Sequence, residues 1–373
     1  MKVECSVKEL ELAVNHAMRA IPSKTGNVLE NLFVSANDAG IEVAGSDGSF
    51  TIIDHVNGSV SEGGSVLVPA RLLYDLLRTM TPGMLQISVN ENYQITLKSS
   101  GLRHSIVGMD ASEYPDVGEF EISGSLMVQL PQARLSSMIG HVMFAVANDD
   151  THQILNGCLL EVEKDEMRVV CLDGFRLALQ VYHGEIAIPE GSERITAIVP
   201  GKIMNEISRL LGSDGEAIST FCIGGGHMSV TIGSTRIMCT LLAGDFINYR
   251  QILPKSWVTR ITVRRAELLG ACERAGVIAA PGRNSLIRFK TTNNSLVITA
   301  NSEYGNAYEE VECAVDGKPG EIALNSRYIA EVLKNVEDEN CLLNMNDSIS
   351  PCVIAPCESD EYLFLVLPIR VAN

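Results

Sequence analysis

The sequence lacks any apolar stretch that approaches the roughly 18 residues of a membrane-spanning helix. Its first residues, MKVECSVKELELAV, also lack the continuous apolar core of a signal peptide. We therefore expect a protein that is not exported and has no membrane partner.

Motifs of common catalytic and metal sites are missing as well. The chain has no Walker phosphate loop, no GxGxxG after a strand and no GxSxG nucleophile elbow. The run GGGH at 224–227 lies between strand patterns rather than before a helix, which favours a hairpin turn over an anion-binding loop. The histidines are scattered, and Cys352 and Cys357 have no second pair of ligands. The sequence therefore predicts no metal and no other cofactor.

Biased composition is absent too. Hydrophobic residues make up 46% of the chain and charged residues 20%, while aromatic residues make up only 5%. With no biased tract, these values exclude a disordered, collagenous or low-complexity protein. Ten cysteines in 373 residues are too sparse and too irregularly spaced for a secreted disulfide scaffold. The length predicts two or three soluble globular domains.

A long-period repeat organises the chain. The segments LVPARLLYDLLRTM, IVPGKIMNEISRLL and ALNSRYIAEVLKNV each have the pattern of a strand end, a turn and an amphipathic helix. Another helical pattern precedes each of them, and alternating β-branched runs that predict hairpins follow every helix. The pattern predicts an α+β protein in which helix, strands, helix and strands recur three times. The predicted domains are 1–124, 125–255 and 256–373.

Basic residues are few overall, but the predicted helices are rich in them. The chain has 29 Lys and Arg against 46 Asp and Glu, a net charge of -17, which by itself argues against nucleic-acid binding. The predicted helices span 6–21, 71–80, 132–147, 201–212, 264–277 and 326–336. They hold twelve basic and seven acidic residues, a net charge of +5. If they share one face, that face attracts phosphates; the alternative is that these side chains are simply solvated.

Two segments are unusual for an ordinary surface. The stretch CLDGFRLAL interrupts a predicted strand pair at Asp173 and Gly174, and taken alone it favours an ordinary hairpin turn. The C-terminal FLVLPIRV stays apolar to within a few residues of the chain end, where polar residues are usual. We expect this tail to dock against another surface.

Together these residues resemble the bacterial DNA polymerase III β-subunit family of replicative sliding clamps. The resemblance covers all three repeats. Its most specific motifs are VPARLLYDLLR, LNGCLLEVE, CLDGFRLAL, IVPGKIMNEISRLL, GDFINYRQILP at 244–254 and the C-terminal LPIR. It implies three domains of the DNA-clamp fold, with helices on the inner face and sheets outside, and a head-to-tail homodimer that closes a six-domain ring around duplex DNA.

The resemblance implies a processivity factor without catalytic chemistry. A closed ring cannot leave DNA sideways, so weak, sequence-independent phosphate contacts suffice and permit sliding. The implied partners are duplex DNA, a second copy of the chain, the α subunit of DNA polymerase III, the clamp loader, and other replication and repair proteins that carry a clamp-binding motif. The implied location is the cytoplasm, at the nucleoid during replication.

The resemblance also implies DNA-contacting residues. They are Lys24, Arg78, Asn148, His152, Gln153, Lys202 and Arg283, with Arg19, Arg71, Arg134 and Arg209 as further candidates.

A hydrophobic pocket for the short motifs of clamp-binding proteins is implied between the second and third domains. Its matching residues are Leu155, Leu172, Gly174, Phe175, Arg176, Leu177, Ile247, Arg250, Ile252, Leu365, Leu367, Pro368, Ile369 and Arg370. We expect the Asp-Gly turn to expose Phe175 and Leu177, and the apolar tail to form the other wall. The family often has Thr, His and Pro at the positions of Leu172, Phe175 and Ile247, which predicts a more apolar pocket in this chain.

The dimer contact implied by the resemblance pairs an edge strand of the first domain with one of the third. The matching residues are Arg103, His104, Ile106, Val277, Ile278 and Glu309, with Glu310 as an alternative ion-pair partner. His104 stands where the family often has an apolar aromatic residue, so the strength of the dimer is open, as is its pH dependence.

Two other functions stay open at this point. One is a ring-forming adaptor that keeps the peptide pocket but does not bind DNA, which the excess of basic residues on the helices disfavours. The other is an enzyme with an unrecognised Cys or His site, for which no nucleophile and base can be named.

Overall fold

The computed structural model describes residues 1–22, 26–115, 126–148, 152–184, 186, 194–213, 216–280 and 285–371. Six α-helices lie in this part of the chain, each where the repeat predicts one. They are α1 Val7–Ala17, α2 Ala70–Leu77, α3 Gln132–Gly140, α4 Gly201–Leu210, α5 Arg265–Ala279 and α6 Ser326–Lys334. The predicted 6–21 and 132–147 helices were too long, because 3₁₀ turns at Met18–Ala20 and Met143–Ala145 continue the apolar spacing after α1 and α3 end.

The strands form antiparallel ladders. In the first repeat they are β1 Lys2–Ser6, β2 Asn31–Asn37, β3 Gly40–Ser46, β4 Phe50–Val56, β5 Gly58–Glu62, β6 Gly64–Pro69, β7 Met84–Val89, β8 Gln94–Ser99 and β9 Leu102–Val107. In the second they are β10 Leu126–Pro131, β11 Gly157–Val162, β12 Glu166–Leu172, β13 Arg176–His183, β14 Ile195–Pro200, β15 Ile218–Gly224, β16 His227–Ile232 and β17 Thr235–Thr240. In the third they are β18 Thr259–Arg264, β19 Leu286–Thr291, β20 Ser295–Ser302, β21 Gly305–Gly317, β22 Glu321–Asn325, β23 Asn340–Met345, β24 Cys352–Pro356 and β25 Tyr362–Val366.

The chain forms two compact units. The first contains the described residues of Met1–Ser136 and Lys202–Leu241, and the second those of Ser137–Ile186, Glu193–Gly201 and Leu242–Asn373. The second repeat is therefore divided, with one of its sheets in each unit.

The first unit is built on two sheets. One has five strands in the order β5-β1-β7-β8-β9, and the other has eight in the order β10-β15-β16-β17-β4-β3-β2-β6. Helix α1 packs against β3, β4 and α2, and its apolar positions Leu10 and Val14 join Leu73 and Leu77 of α2 in the buried core. In the larger sheet, β17 of the second repeat pairs with β4 of the first, from Thr235 opposite Asp54 onward.

The second unit contains one continuous sheet of twelve strands. Its order is β14-β11-β12-β13-β25-β24-β23-β18-β21-β20-β19-β22. Here β25 of the third repeat pairs with β13 of the second, with Tyr362 opposite Gln180 and Leu365 opposite Leu177. We call the pairings of β17 with β4 and of β25 with β13 the inner seams.

Several strand edges are open among the described residues, and two of them correspond to the inner seams. Strand β9 pairs only with β8 and ends its sheet. Strand β21 pairs with β20 along 305–312, whereas on its other side β18 covers only 313–317. The repeat relates β9 to β17 and β25, and it relates the first half of β21 to β4 and β13. The open edges thus correspond to the two halves of an inner seam.

Candidate functional site

The turn between β12 and β13 is fixed by its aspartate. Asp173 Oδ1 accepts hydrogen bonds from the backbone N–H groups of Phe175 at 2.9 Å and Arg176 at 3.0 Å. Gly174 has φ of +86°, a left-handed conformation that favours glycine. The first repeat has the same turn, in which Asp47 Oδ1 accepts from the N–H groups of residues 49 and 50. The turn is therefore a repeated element of the fold, and only its side chains distinguish it.

Phe175 and Leu177 have opposite environments. The Phe175 side chain is 58% exposed, and its ring stacks on Tyr328 with centroids 5.8 Å apart. Leu177 is only 2% exposed, so the prediction that the turn exposes it was wrong. The reason is its place in the sheet, where Leu177 lies between Leu172 on β12 and Leu365 on β25.

Helix α6 supplies partners for the turn. Its N-terminus is capped by the Asn325 side chain, which accepts from the Arg327 N–H at 2.9 Å. The helix buries Ile329 and Leu333, and its opposite side carries the half-buried Tyr328 and the exposed Glu331.

Arg176 joins the turn to this helix. Its Nε donates to Asp173 Oδ2 at 3.0 Å, and its Nη1 donates to Glu331. The guanidinium lies 4.7 Å from the ring centroid of Tyr328 and 5.3 Å from that of Phe144. The side chain is only 12% exposed and is held by all of these contacts, so Arg176 fixes the turn at Asp173 against helix α6.

An apolar cluster lies beneath the turn, and six of the residues predicted for the peptide pocket meet in it. Four are buried and two are partly buried. They are Leu155, Leu172, Leu177 and Leu365, with Ile252 and Leu367 packed against them. We call these six residues the peptide-site cluster.

The C-terminal tail is docked against this region. The Leu367 N–H donates to the Phe175 carbonyl at 2.8 Å, and the Ile369 N–H donates to the Ala323 carbonyl at 2.8 Å. Pro368 and Ile369 are half-buried, and Arg370 is exposed. Ile247, which lies in the loop before Tyr249, is 43% exposed.

Arg250 is anchored to a buried carboxylate that sequence reasoning missed. Glu161, 4% exposed, accepts from Arg250 Nη1 at 2.8 Å and from the Tyr249 hydroxyl at 2.6 Å. Burial alone would raise the pKa of the Glu161 carboxyl, but these hydrogen bonds outweigh it and hold that pKa below its ordinary value. The available signal was the single acid in the otherwise apolar strand GCLLEV.

The predicted DNA-contacting residues are scattered over several elements. Lys24 and Arg283 lie outside the described residues. Arg78 is the C-cap residue of α2, and its guanidinium lies 5.5 Å from the Tyr74 ring centroid. Asn148, His152 and Gln153 are exposed. Lys202 is also exposed, but its Nζ lies 3.2 Å from Asp47 Oδ2.

Several of the further candidate cations are paired with acids of the same unit. Arg19 and Arg209 both donate to Glu206, at 3.1 and 2.7 Å. Arg71 donates to Asp75 one turn along α2 at 3.1 Å. These pairs lower the positive potential that the count of helical charges predicts.

The predicted dimer residues of the first repeat lie on β9. Arg103 is exposed, His104 is half-buried and Ile106 is packed in the core. Val107, which sequence reasoning missed, is 74% exposed.

The predicted dimer residues of the third repeat lie on α5 and β21. Val277 is 72% exposed and Ile278 is half-buried. Glu309 accepts two hydrogen bonds from Arg274, at 3.0 and 2.6 Å, so any ion pair with Arg103 of a second copy must compete with this one. Glu310 accepts from the Ser295 hydroxyl at 2.5 Å.

No group of three or more His, Cys, Asp or Glu side chains is placed to hold a metal ion within the described ranges. In the same ranges, no helix combines the length and apolar character that crossing a membrane requires.

Comparison with known proteins accounts for the three repeats. Residues 1–118, 129–248 and 250–370 match the N-terminal, central and C-terminal domains of the DNA polymerase III beta subunit, respectively. The chain is 29% identical over 383 residues to the beta sliding clamp of Synechococcus elongatus, with 100% of both chains covered.

Solved structures agree with this match. The DNA polymerase III subunit beta of Pseudomonas aeruginosa has a TM-score of 0.92 at 27% identity, and that of Thermotoga maritima has 0.89 at 27%, each with 100% of both chains covered. The resemblance and the fold of three clamp domains are therefore confirmed, and the chain belongs to the bacterial DNA polymerase III beta subunits, the β sliding clamps.

Proposed function

We propose that two copies of this clamp join head to tail in a ring that encircles duplex DNA without reading its sequence. Each copy contributes three domains, with the limits 1–124, 125–255 and 256–373. The ring performs no catalysis. It tethers the α subunit of DNA polymerase III and other motif-carrying proteins to DNA, and a clamp loader places it there at the nucleoid.

The open edges of β9 and of the first half of β21 carry this proposal. Each inner seam joins the last strand of one repeat to the strand that follows the hairpin turn of another. Strand β9 and the first half of β21 are the corresponding halves, and each has one edge without a partner strand among the described residues. An open edge is a template for pairing with another chain, and head-to-tail pairing closes into a ring when the rotation permits.

The inner seams also define the register of the proposed contact. Thr235 lies opposite Asp54 in one seam, and Tyr362 lies opposite Gln180 in the other. Following the strand pairings through each repeat, the corresponding residues are Leu102 on β9 and Glu309 on β21. This register sets His104 opposite Ala307 of a second copy.

Peptide binding is proposed at the surface around Phe175. The exposed ring of Phe175, its partner Tyr328 and the docked residues Leu367 and Ile369 combine apolar surface with the charged rim of Arg176. Such a mixture of apolar and oriented polar groups suits a short peptide segment.

A ring-forming adaptor without DNA binding is the second candidate. The pairing of Arg19 and Arg209 with Glu206, and of Lys202 with Asp47, favours it because these cations are already partly neutralised. The two functions differ in one property: only a ring that encircles DNA stays on a circular molecule and is released when that molecule is cut.

Retention on circular DNA tests the proposal. The chain is loaded onto a nicked plasmid by the clamp loader of the same genome and separated from free protein by gel filtration. We expect it to co-elute with the circular plasmid and to be lost after a restriction enzyme linearises it, since a ring slides off an open end. Equal retention before and after cutting, or none on the circle, contradicts encirclement, and the second result supports the adaptor.

A further inference from the structure

A second pocket lies in the same unit as the peptide-site cluster and is separate from the predicted peptide residues. Its volume is about 310 Å³. Its lining includes residues of the linker before β18 and of strands β18, β23, β24 and β25: Leu253, Trp257, Arg260, Asn344, Val353 and Leu363. We call it the tryptophan pocket.

Trp257 is the only tryptophan of the chain and is 47% exposed. The Arg260 guanidinium lies 4.0 Å from its ring centroid, a close cation–π contact. Arg260 Nε donates to Asn344 Oδ1 at 3.0 Å. The planar cation is thus held in one orientation before any ligand arrives.

Arg260 differs from the arginines of the peptide site because none of the described residues gives it a carboxylate partner. Arg176 and Arg250 each bind buried or rim acids. Among the described residues, no Asp or Glu oxygen lies within 4.0 Å of Arg260, although Asp316 is its register partner on β21. In a chain with a net charge of -17, an ordered arginine that forms no ion pair with the described residues is chemically suited to accept a carboxylate.

The tryptophan pocket is continuous with the peptide-site cluster. Leu253, Val353 and Leu363 line the pocket and also pack with the cluster. One cross-strand row joins the two places: Leu172, Leu177, Leu365, Val353, Asn344 and Arg260. Arg260 is four strands from Leu177, about 19 Å at the usual strand spacing, a distance that an extended peptide covers in about six residues.

We propose that the tryptophan pocket binds a carboxylate-bearing residue in the flank of a client peptide whose apolar core occupies the peptide site. This inference rests on the proposed peptide binding and names a further specificity determinant of the client. Arg260 receives the carboxylate through its Nη groups, and Trp257 covers the neighbouring part of the peptide. An acidic flank is otherwise repelled by this acidic protein, so the pocket selects clients by the position of one acid.

The test uses the full chain and fluorescein-labelled peptides. The core peptide is the shortest segment of the polymerase α subunit of the same genome that binds the chain. Extended peptides add a Gly-Ser spacer of two, five or eight residues and then Glu or Gln, on either end of the core. Binding is measured by fluorescence anisotropy with the unaltered chain, Arg260→Gln, Trp257→Ala and Lys255→Gln. Lys255→Gln is the matched control. Lys255 is an exposed cation in the same linker, but its side chain does not line the pocket.

We expect the five-residue spacer with Glu, on one end, to bind about fivefold to tenfold tighter than its Gln counterpart, as one partly exposed charge-assisted contact provides. Arg260→Gln should abolish this difference and leave the affinity of the core peptide unchanged. Trp257→Ala should reduce the difference, and Lys255→Gln should retain it. Thermal unfolding of each variant verifies that the fold persists.

Other outcomes overturn the inference in distinguishable ways. If the core peptide binds but Glu and Gln extensions are equal at every spacing, the pocket proposal fails and the peptide site stands. Equal losses in Arg260→Gln and Lys255→Gln indicate general electrostatics instead of a site. A six-nucleotide single-stranded DNA is also added as a competitor. If it abolishes the tighter binding of the Glu peptide relative to the Gln peptide, the occupant of the pocket is nucleic acid. If no core peptide binds at all, the proposed peptide site fails and this inference fails with it.

Discussion

Individual side chains around the turn at Asp173 have separate structural and binding roles. Leu177 belongs to the buried cluster, whereas Phe175, two residues earlier, presents its ring to solvent. Their proximity in sequence hides this difference, which arises from the flanking strands. A change at Leu177 is therefore expected to affect the stability of the fold, and a change at Phe175 the binding of a peptide.

We expect Leu177→Ala to lower the free energy of unfolding by about 2 to 4 kcal/mol, because it leaves a cavity in a packed core. Phe175→Ala should cost less than about 1 kcal/mol, since an exposed side chain loses little burial. It should nevertheless weaken the binding of the core peptide. Chemical denaturation and anisotropy titration measure the two effects. Equal stability losses in both variants contradict the distinction.

The secondary-structure elements are joined at the inner seams by polar side chains. In the first unit, Asp54 on β4 accepts from His16 of α1 at 2.7 Å, from Ser234 at 2.7 Å and from Thr235 of β17 at 3.0 Å. The carboxylate is 2% exposed, so it links three elements out of contact with solvent. The corresponding position of the second seam, Gln180, is buried and uncharged.

This carboxylate predicts an acid-sensitive seam. Burial raises the pKa of Asp54, but the hydrogen bonds from His16, Ser234 and Thr235 outweigh it, and the pKa lies below its ordinary value. Because its folded-state pKa is lowered, the Asp54 carboxylate stabilises the fold at pH values above its ordinary pKa of about 4. This contribution to stability is lost as the pH falls through the lower, folded-state pKa.

Asp54→Asn should therefore destabilise the first unit by about 1 to 3 kcal/mol at pH 7. The difference from the unaltered chain should shrink as the pH is lowered from 5 to 3, because only the unaltered chain loses a buried carboxylate. Denaturant unfolding across this pH range measures it. Asp38→Asn, at an exposed turn, is the control and should show no such convergence. A gap that stays constant with pH argues against a charged Asp54.

At the scale of the whole molecule, the sequence predicts the repeat far better than it predicts contacts. Periodicity located all six helices of the described chain, because an amphipathic helix has a local pattern. It could not reveal Glu161 beneath Arg250 or Asn344 beside Arg260, because these partners come from different elements and meet only in the tertiary fold. The count of helical charges likewise missed the pairing of Arg19 with Glu206, which are distant in sequence.

The proposed ring yields a prediction about the register of its dimer contact. If the proposed pairing of β9 with β21 of a second copy has the register of the inner seams, a His104→Cys, Ala307→Cys double variant places two thiols directly opposite each other in different copies. Their Cα atoms are then within the separation that a disulfide requires. A Cys357→Ser background removes the exposed native thiol. Mild oxidation should then give a covalent dimer on non-reducing gels that stays on circular DNA in high salt.

His104→Cys with Tyr308→Cys is the control, because a shift of one residue turns the side chain to the other face of the sheet. Efficient cross-linking of the control, or none of the first pair, refutes the proposed register, since only one alignment of β9 with β21 repeats the seams already present within the chain.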